Sequence, residues 1–305
     1  MHTLCAIAWQ FENEFRSFLC RSHVMKIIIK VIALLMSCSY ALFAQCSDAG
    51  VCVIGSKRTM PGHQLGASYV FGKSGKTDDL IIHSIQIEGG IQFFPHSRLV
   101  VLLPWSRING PLGYASGLGD ITVLWNQGVC EMLGNQLSVQ IGAKFATGDA
   151  NSSNLPQAYQ PGLGTNDLLL GISYETEPWL FALGYQLSRG RSDNAATRLR
   201  RGDDLFTRIG YKTHVDDLIV GLEILAIKRL QKSSVLDPAV AGGSSFIDVS
   251  GSDQFQANLL LTLSLPLSES FSLRSHIAVP LRSRRVNVDG LTRSVTLSVG
   301  VQCSL

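Results

Sequence analysis

A strictly alternating pattern at the C-terminus constrains the fold more than any other feature of the sequence. From Val295 to Leu305 every second residue is apolar, and the residues between them are small or polar. A period of two is that of a β-strand with one apolar face. The stretch Arg293–Leu305 can cross a bilayer, because a tilted transmembrane strand needs about 9–11 residues. A soluble edge strand of this kind would promote aggregation, whereas the last strand of a closed barrel pairs with the first.

The rest of the 305-residue chain supplies eleven more segments of this kind. In Gln136–Phe145, for example, the apolar positions from Leu137 onward alternate with polar residues or Gly. No run of eighteen or more apolar residues follows the N-terminal region, so helical membrane spans are not predicted. The twelve predicted strands are His63–Phe71, Ile82–Phe94, Arg98–Trp105, Gly119–Gln127, Gln136–Phe145, Leu168–Glu175, Trp179–Leu187, Asp204–Thr213, Leu218–Lys228, Gln254–Leu265, Phe271–Leu281 and Arg293–Leu305.

The connections between these strands tend to alternate in length. Short ones follow the even-numbered strands, and the long ones include Thr147–Asp167, Arg189–Asp203 and Arg229–Asp253. Outer-membrane barrels have even strand numbers, short periplasmic turns and longer outer loops. The sequence therefore predicts an all-β fold: a single 12-stranded antiparallel transmembrane β-barrel in a bacterial outer membrane, with both termini periplasmic. Aromatic residues near the strand ends favour interfacial girdles, with ordinary strand propensity as the alternative. A soluble β-sandwich is the alternative fold.

The N-terminal region has the features of an exported protein. Residues 1–24 lack a persistent pattern and are interpreted as a mis-called extension, with a genuine pre-signal segment as the alternative. Residues 25–44 are predicted to be a signal peptide, because Lys26 and Lys30 precede an apolar run that ends at Ala44. Residues 45–62 then form a periplasmic segment, and residues 63–305 form the barrel.

Two cysteines stand close together in that periplasmic segment. Cys46 and Cys52 bracket a short loop, and an oxidising periplasm favours a disulfide between them. Two free thiols are the alternative. Lipidation of Cys46 is a further possibility, which the preceding Gln45 disfavours.

Four short motifs resemble those of a known family. Leu103-Pro104-Trp105 precedes Gly117-Leu118-Gly119-Asp120, and the segments 144–149 (Lys-Phe-Ala-Thr-Gly-Asp) and 162–167 (Gly-Leu-Gly-Thr-Asn-Asp) follow. In order and spacing these resemble the outer-membrane family named MetA-pathway of phenol degradation, over roughly Gln64 to Leu305. Ala146 stands where that family has Pro. The resemblance implies an outer-membrane barrel and passage of small aromatic or apolar compounds, and it assigns no binding residues.

Strand parity predicts which side chains face the lumen. If the apolar positions contact lipid, the opposite positions point inward. The lumen candidates are Lys144, Arg208, Glu223, Arg274 and His276. A water-filled path lined by them and a lumen filled by paired side chains both remain open. A cluster of Lys144, Arg208 and Arg274 with Glu223 is the first to test.

Two loop features also allow more than one reading. The segment Leu236–Gly243 is too apolar to be fully solvated, and either enters the barrel mouth as a constriction or forms an ordered surface turn.

Several arginines in the predicted outer loops are candidates for contact with lipopolysaccharide phosphates, because guanidinium groups pair well with phosphate; a solvated basic rim is the alternative. These are Arg198, Arg200, Arg201, Arg282, Arg284 and Arg285.

Several classes of function find no support. The net charge of +3 is too small to indicate nucleic-acid binding. No metal or phosphate-binding motif is present, so no cofactor is expected. Ser275 and His276 are adjacent on one strand and point to opposite faces, as do His83 and Ser84, so a hydrolase site and an enzyme are not predicted.

The predicted function is therefore an outer-membrane channel or transporter for small molecules, which the family resemblance implies are aromatic or apolar. The alternatives are a structural or adhesion barrel with a closed lumen and, less favoured, a lipid-modifying barrel enzyme. The expected partners are outer-membrane lipids and lipopolysaccharide, a small-molecule solute, and the barrel-assembly machinery. That machinery commonly reads a terminal aromatic residue, whereas this chain ends in Leu305.

Overall fold

The computed structural model describes residues 62–75, 79–132, 135–240 and 245–305, which form a β-barrel. Twelve strands of this part of the chain close into one antiparallel barrel, as the sequence predicts. No helix in the described ranges is long and apolar enough to span a membrane. The strands are β1 (Gln64–Lys73), β2 (Ile81–Phe94), β3 (Ser97–Gly110), β4 (Gly113–Leu118), β5 (Ile121–Met132), β6 (Asn135–Phe145), β7 (Asn166–Thr176), β8 (Trp179–Arg189), β9 (Asp204–Val215), β10 (Leu218–Arg229), β11 (Ser234–Leu236), β12 (Phe246–Asp248), β13 (Phe255–Pro266), β14 (Phe271–Arg282) and β15 (Val295–Ser304).

The barrel closes between its first and last strands. β1 pairs antiparallel with β15 from Gln64 opposite Ser304 to Lys73 opposite Val295, and its other edge pairs with β2. Each backbone polar group along β1 therefore faces a neighbouring strand, as a bilayer requires. The alternating C-terminal stretch of the sequence is the strand that makes this closure.

Side chains alternate between the lumen and the outer surface along every barrel strand. On β15, Leu297, Val299 and Val301 are exposed on the outside, whereas Thr296 and Gln302 are buried within the lumen. The outer surface is thus an apolar band of the kind that contacts lipid. The closed barrel with this band is an outer-membrane protein, as the sequence predicts.

Aromatic side chains extend the apolar band at the strand ends. Trp179 packs edge-on against Tyr211 and is stacked with Phe181. Such rings suit the membrane interface, where an apolar body meets water. Those exposed on the outer surface include Phe93, Phe94, Trp105, Trp125, Tyr174, Trp179, Tyr211 and Phe271.

Long and short connections lie at opposite ends of the barrel. We call the end with the short turns, such as Pro95-His96 and Glu177-Pro178, the turn end, and the opposite end the loop end. The first residue of β1 and the last residue of β15 both lie at the turn end. That the turn end faces the periplasm remains a prediction.

One predicted loop is wrong. Between the predicted strands Arg98–Trp105 and Gly119–Gln127 the sequence predicts a Gly-rich loop over Ser106–Gly117, but β3 continues to Gly110 and turns at Pro111-Leu112 into β4. The reason is that Ser106 and Ile108 keep the inward parity of β3 and are buried, so the strand extends beyond its apolar outer face. β4 and β5 together follow β3, interrupted only at residues 119–120.

The longest connection carries a small hairpin. Strands β11 and β12 pair with each other, and Pro238, Ala239 and Val240 beyond them are exposed. The described part of the segment 236–243 is therefore a surface hairpin and does not enter the lumen. The predicted extension, signal peptide and Cys46–Cys52 disulfide lie outside the described residues, as does the segment 45–62 up to Gly62.

We predict that a cation on the outer face of β15 disrupts the barrel. Val299 is exposed between Tyr69 and Ser275, so Val299→Arg places a charge in lipid at a cost of about 2–4 kcal/mol. The folded fraction in lipid vesicles, measured from heat-modifiable gel migration, is expected to fall. The control is Ser298→Arg at the adjacent position, whose side chain lines the lumen; equal loss of folding in both variants would contradict the assigned facing.

Candidate functional site

The barrel encloses a chamber of about 600 Å³ that begins at the turn end. Pro95 and His96, in a short turn, line the part of the chamber nearest the turn end. Arg293 and Thr296 line the part nearest the loop end. Its wall carries side chains from strands all around the barrel. A cavity of this size inside a transmembrane barrel is the candidate functional site.

The structure places four of the five lumen candidates on the chamber wall: Arg208, Glu223, Arg274 and His276. Arg208 and Glu223 form a buried ion pair, in which Nε of Arg208 donates to the glutamate Oε2 at 2.6 Å. Lys144 lies elsewhere, with its Nζ 3.9 Å from Asp167 Oδ2. The cluster suggested by the sequence is therefore divided, because strand heights differ around the barrel.

Part of the chamber wall is apolar. Leu260 and Ala278 belong to a buried cluster with Phe206, Leu225 and Ile227, and Val100 and Leu102 belong to another with Leu124 and Leu169. Leu260 and Ala278 of the first cluster, and Val100 and Leu102 of the second, also line the chamber. The lumen therefore combines paired charges with apolar surface, whereas strand parity predicts a polar lumen.

A second cavity of about 60 Å³ lies next to the chamber, toward the loop end. Val70, Gln86 and Arg293 line both cavities and so form the junction between them. At about 10–15 Å³ of accessible volume for each water molecule, this cavity has room for a few waters. The lumen thus contains a large cavity toward the turn end and a much smaller one beyond these three residues.

A buried network of charges, which we call the charged cluster, fills the loop end. Its carboxylates are Asp167, Asp204 and Asp289, and its cations are Lys144, Arg201, Arg229 and Arg284, all at most about 4 % exposed. The cluster joins strands β6, β7, β9 and β10 to the loops before β9 and before β15. It therefore ties together parts of the chain that are distant in sequence.

Two arginines hold the charged cluster together. Arg201 contacts Asp167 at 3.1 Å, Asp204 at 3.0 Å and Asp289 at 3.4 Å. Arg229 contacts Asp204 at 3.0 Å and Asp289 at 2.7 Å. Since each arginine bridges two or more carboxylates, the cluster is one continuous network at the loop end.

The pKa values of the two loop residues Asp289 and Arg284 are shifted by the charges around them. Burial by itself would raise the pKa of Asp289, but the guanidinium groups of Arg229, Arg284 and Arg201 outweigh it and hold that pKa well below its ordinary value. Burial, followed by the repulsion of Arg229, lowers the pKa of Arg284 to about 10. Lys144, Arg201 and Arg229 each contact a carboxylate of the cluster, whereas the contact of Arg284 is to Gln256.

The motifs that carry the family resemblance meet at one point beside this cluster. The carboxylate of Asp120 accepts hydrogen bonds from the backbone N–H of Gly148 at 3.1 Å and of Leu163 at 2.7 Å. A Cβ on Gly148 would lie 2.7 Å from the carbonyl carbon of Gly119, so only glycine permits this approach. The motifs are thus the anchor of the loop 146–165.

This geometry is similar to that of known outer-membrane barrels. No family model matches the sequence, and no curated protein matches it. The chain is similar in structure to the COG4313 outer membrane channel from Pseudomonas putida F1, with a TM-score of 0.60, 15% identity, and coverage of 82% of this chain and 98% of that one.

More distant matches include the KdgM porin, with a TM-score of 0.46 and 13% identity over 79% of this chain and 99% of that one. Outer membrane phospholipase A from Escherichia coli has a TM-score of 0.42 and 12% identity, covering 85% of this chain and 98% of that one. The likeness to the COG4313 channel shows a shared fold. The resemblance to the MetA-pathway family stays a prediction.

Two of the predicted outer arginines point inward instead. Arg201 and Arg284 were expected to face lipopolysaccharide, but both are buried, Arg201 bonded to carboxylates and Arg284 to Gln256 at 2.6 Å. The sequence contained a signal for Arg201, since Asp203 and Asp204 follow it closely. The other four stay exposed: Arg198, Arg200, Arg282 and Arg285.

The Ser and His pairs considered for hydrolysis lie on opposite faces. His276 lines the chamber, whereas Ser275 pairs with the outward-facing Val299. His83 lies next to Tyr69 on the outer face, where its Nδ1 is 2.6 Å from the tyrosine hydroxyl. Neither arrangement provides a nucleophile with an adjacent base.

We predict that Asp289→Asn loosens the loop end. Removing one carboxylate leaves Arg201 and Arg229 buried with less counter-charge, a change that costs about 3–5 kcal/mol for a broken buried pair. Limited proteolysis is expected to cut the loops 190–203 and 283–294 faster, while the barrel strands stay folded. The same substitution at Asp193, which is exposed in the loop before β9, should leave the cutting rate unchanged.

The loop end is also expected to resist acid. Because the pKa of Asp289 is lowered in the folded protein, its stabilising charge is present above the ordinary carboxylate pKa and is lost only as the pH falls through the lowered value. At about pH 4, close to the ordinary carboxylate range, an acid protease should spare the loops of the unmodified protein but cut those of the Asp289→Asn variant. Equal cutting of both would show that the cluster does not protect the loops.

Proposed function

We propose that the chain is a channel of the outer membrane, with the loop end outside and the turn end in the periplasm. The observation that carries this proposal is the chamber of about 600 Å³ within the closed barrel. Its wall carries ion pairs such as Arg208 with Glu223, so a solvated interior is stable. The junction at Arg293 continues it toward the loop end.

Passage through the channel requires the loop end to move. The charged cluster fills that end, and the second cavity has room for only a few waters. An aromatic ring fits the chamber but not the second cavity. We therefore infer a gated channel, in which displacement of the loops before β9 and β15 opens the path.

A barrel with a permanently closed lumen is the second candidate, and the interlocked loops favour it. Gln157 accepts a hydrogen bond from Ser192, and the amide of Asn194 donates to the carbonyl oxygens of Ala150 and Leu155, each at 2.8 Å. These contacts join the loop 146–165 to the loop 190–203. The two candidates differ in whether this assembly ever opens.

The proposed partners follow from the surfaces that the barrel presents. The four exposed loop arginines named above suit the phosphates of lipopolysaccharide. A small solute, with an aromatic or apolar body, suits the mixed wall of the chamber. The barrel-assembly machinery is the proposed reader of strand β15.

Single-channel recording in planar bilayers tests the proposal. The unmodified protein is expected to show brief openings of small conductance, and Asp289→Asn to show longer or more frequent ones, because the charged cluster is weakened. Asp193→Asn serves as the control with the same change of charge. If folded samples of all three proteins never conduct, the closed-lumen candidate replaces the channel.

A further inference from the structure

Arg293 lies over a glycine at the junction of the two cavities. A Cβ on Gly72 would lie 3.1 Å from Cδ of Arg293 and 3.4 Å from its Nη1. The absence of a side chain at Gly72 therefore makes room for this guanidinium against the lumen wall. Arg293 lines both cavities, and no ion pair of the described residues includes it.

The strand register places Thr296 beside this guanidinium. Thr296 is the cross-strand partner of Gly72 on one side and of Ala278 on the other, and such partners have Cβ atoms about 4.5–5.5 Å apart. Thr296 is only 7 % exposed and lines the chamber. Its hydroxyl and Nε of Arg293 are both buried without a hydrogen-bond partner among the described residues.

The chamber wall next to Thr296 and Arg293 is apolar. Ala278 pairs in turn with Leu260, so the row across the wall runs from leucine through alanine to the Thr296 hydroxyl and the Arg293 guanidinium. Ala278 and Leu260 both line the chamber. A molecule seated along this row would meet an apolar surface at one end and two hydrogen-bond donors, one of them charged, at the other.

We propose that this row is a binding site for a small amphipathic carboxylate, a deepening that rests on the proposed channel function. The carboxylate accepts hydrogen bonds from Arg293 and Thr296, and the apolar or aromatic body packs against Ala278 and Leu260. Buried polar groups without partners are costly, and a carboxylate satisfies both at once. The geometry gives the chamber a preference for the anionic head as well as for the apolar body.

Size and charge together define the ligand class. The chamber of about 600 Å³ accepts a substituted ring, whereas the second cavity of about 60 Å³ does not. The ligand therefore stops at the junction, with its head at Arg293. Two other arginines deeper in the chamber differ from Arg293: Arg208 pairs with Glu223, and Arg274 also has an Nε without a hydrogen-bond partner among the described residues but does not line the second cavity. Arg293 is the one of the three that stands at the junction beside the row of Thr296, Ala278 and Leu260.

Equilibrium binding to the full-length folded barrel in lipid nanodiscs tests the site with three probes. Benzoate has both the head and the body, benzyl alcohol has the body without the charge, and acetate has the charge without the body. Calorimetric titration is expected to show benzoate binding at least about tenfold more tightly than either other probe, because a hydrogen bond to a charged group is worth about 1.5–3 kcal/mol. Equal binding of benzoate and benzyl alcohol would overturn the site.

Substitutions distinguish the contribution of the benzoate carboxylate from that of its aromatic ring. Arg293→Gln is expected to reduce benzoate affinity by about tenfold to the level of benzyl alcohol, and Arg293→Lys to restore part of it. Thr296→Val should weaken benzoate to a smaller degree, and Leu260→Ser should weaken both aromatic probes. Lys73→Gln is the matched control: it removes one charge next to the same strand end, but on the outer face, where Lys73 pairs with Asp79 at 3.7 Å.

The outcomes distinguish the site from the channel. A folded Arg293→Gln variant that binds benzoate as tightly as the unmodified protein would sink the site, and so would an equal loss in Lys73→Gln. A protein that conducts but does not bind benzoate keeps the channel and loses the site. A protein that binds benzoate through Arg293 but never conducts keeps the site as a closed pocket and loses the channel.

Discussion

The structure depends on one constraint: in a bilayer every backbone N–H and C=O group has to find a partner within the protein. A sheet meets it only by closing on itself, and here the closure is the pairing of β1 with β15. Once the register of that pair is fixed, the facing of every side chain follows, because residues alternate along each strand. The lipid-facing band and the lumen wall are therefore two consequences of one set of hydrogen bonds.

Closing the sheet creates an interior that has to be either filled or solvated. At the loop end it is filled by the charged cluster, where Arg201 and Arg229 each bridge several carboxylates. Charges of this kind are costly when desolvated and are stable only because they compensate one another. The turn end is left as a chamber. The position of the site is thus decided by how far inward the loops fold.

Most strand positions and facings could be predicted from the sequence, because apolar and polar residues alternate with a period of two; the exception is the end of β3 with β4, where the residues do not show that alternation. Which lumen side chains meet could not, since that depends on strand heights and on loops that fold inward. Lys144 and Arg208 share the inward parity, yet one pairs with Asp167 and the other with Glu223. Arg284 was misplaced for the same reason: a charged residue in a loop is expected outside, and nothing local shows that Gln256 receives it.

The apolar part of the lumen bears on what the barrel is for. Leu260 and Ala278 place apolar surface on the chamber wall, and they pack against the fully buried Leu225 and Ile227. Apolar surface in a chamber lowers the affinity for water and raises it for a molecule with an apolar body. Because that surface adjoins the donors of Thr296 and Arg293 by strand register, the wall discriminates by two properties at once. If the proposed channel opens, a chamber of this kind would retain a ligand before releasing it, and its selectivity would depend on binding as well as on pore diameter.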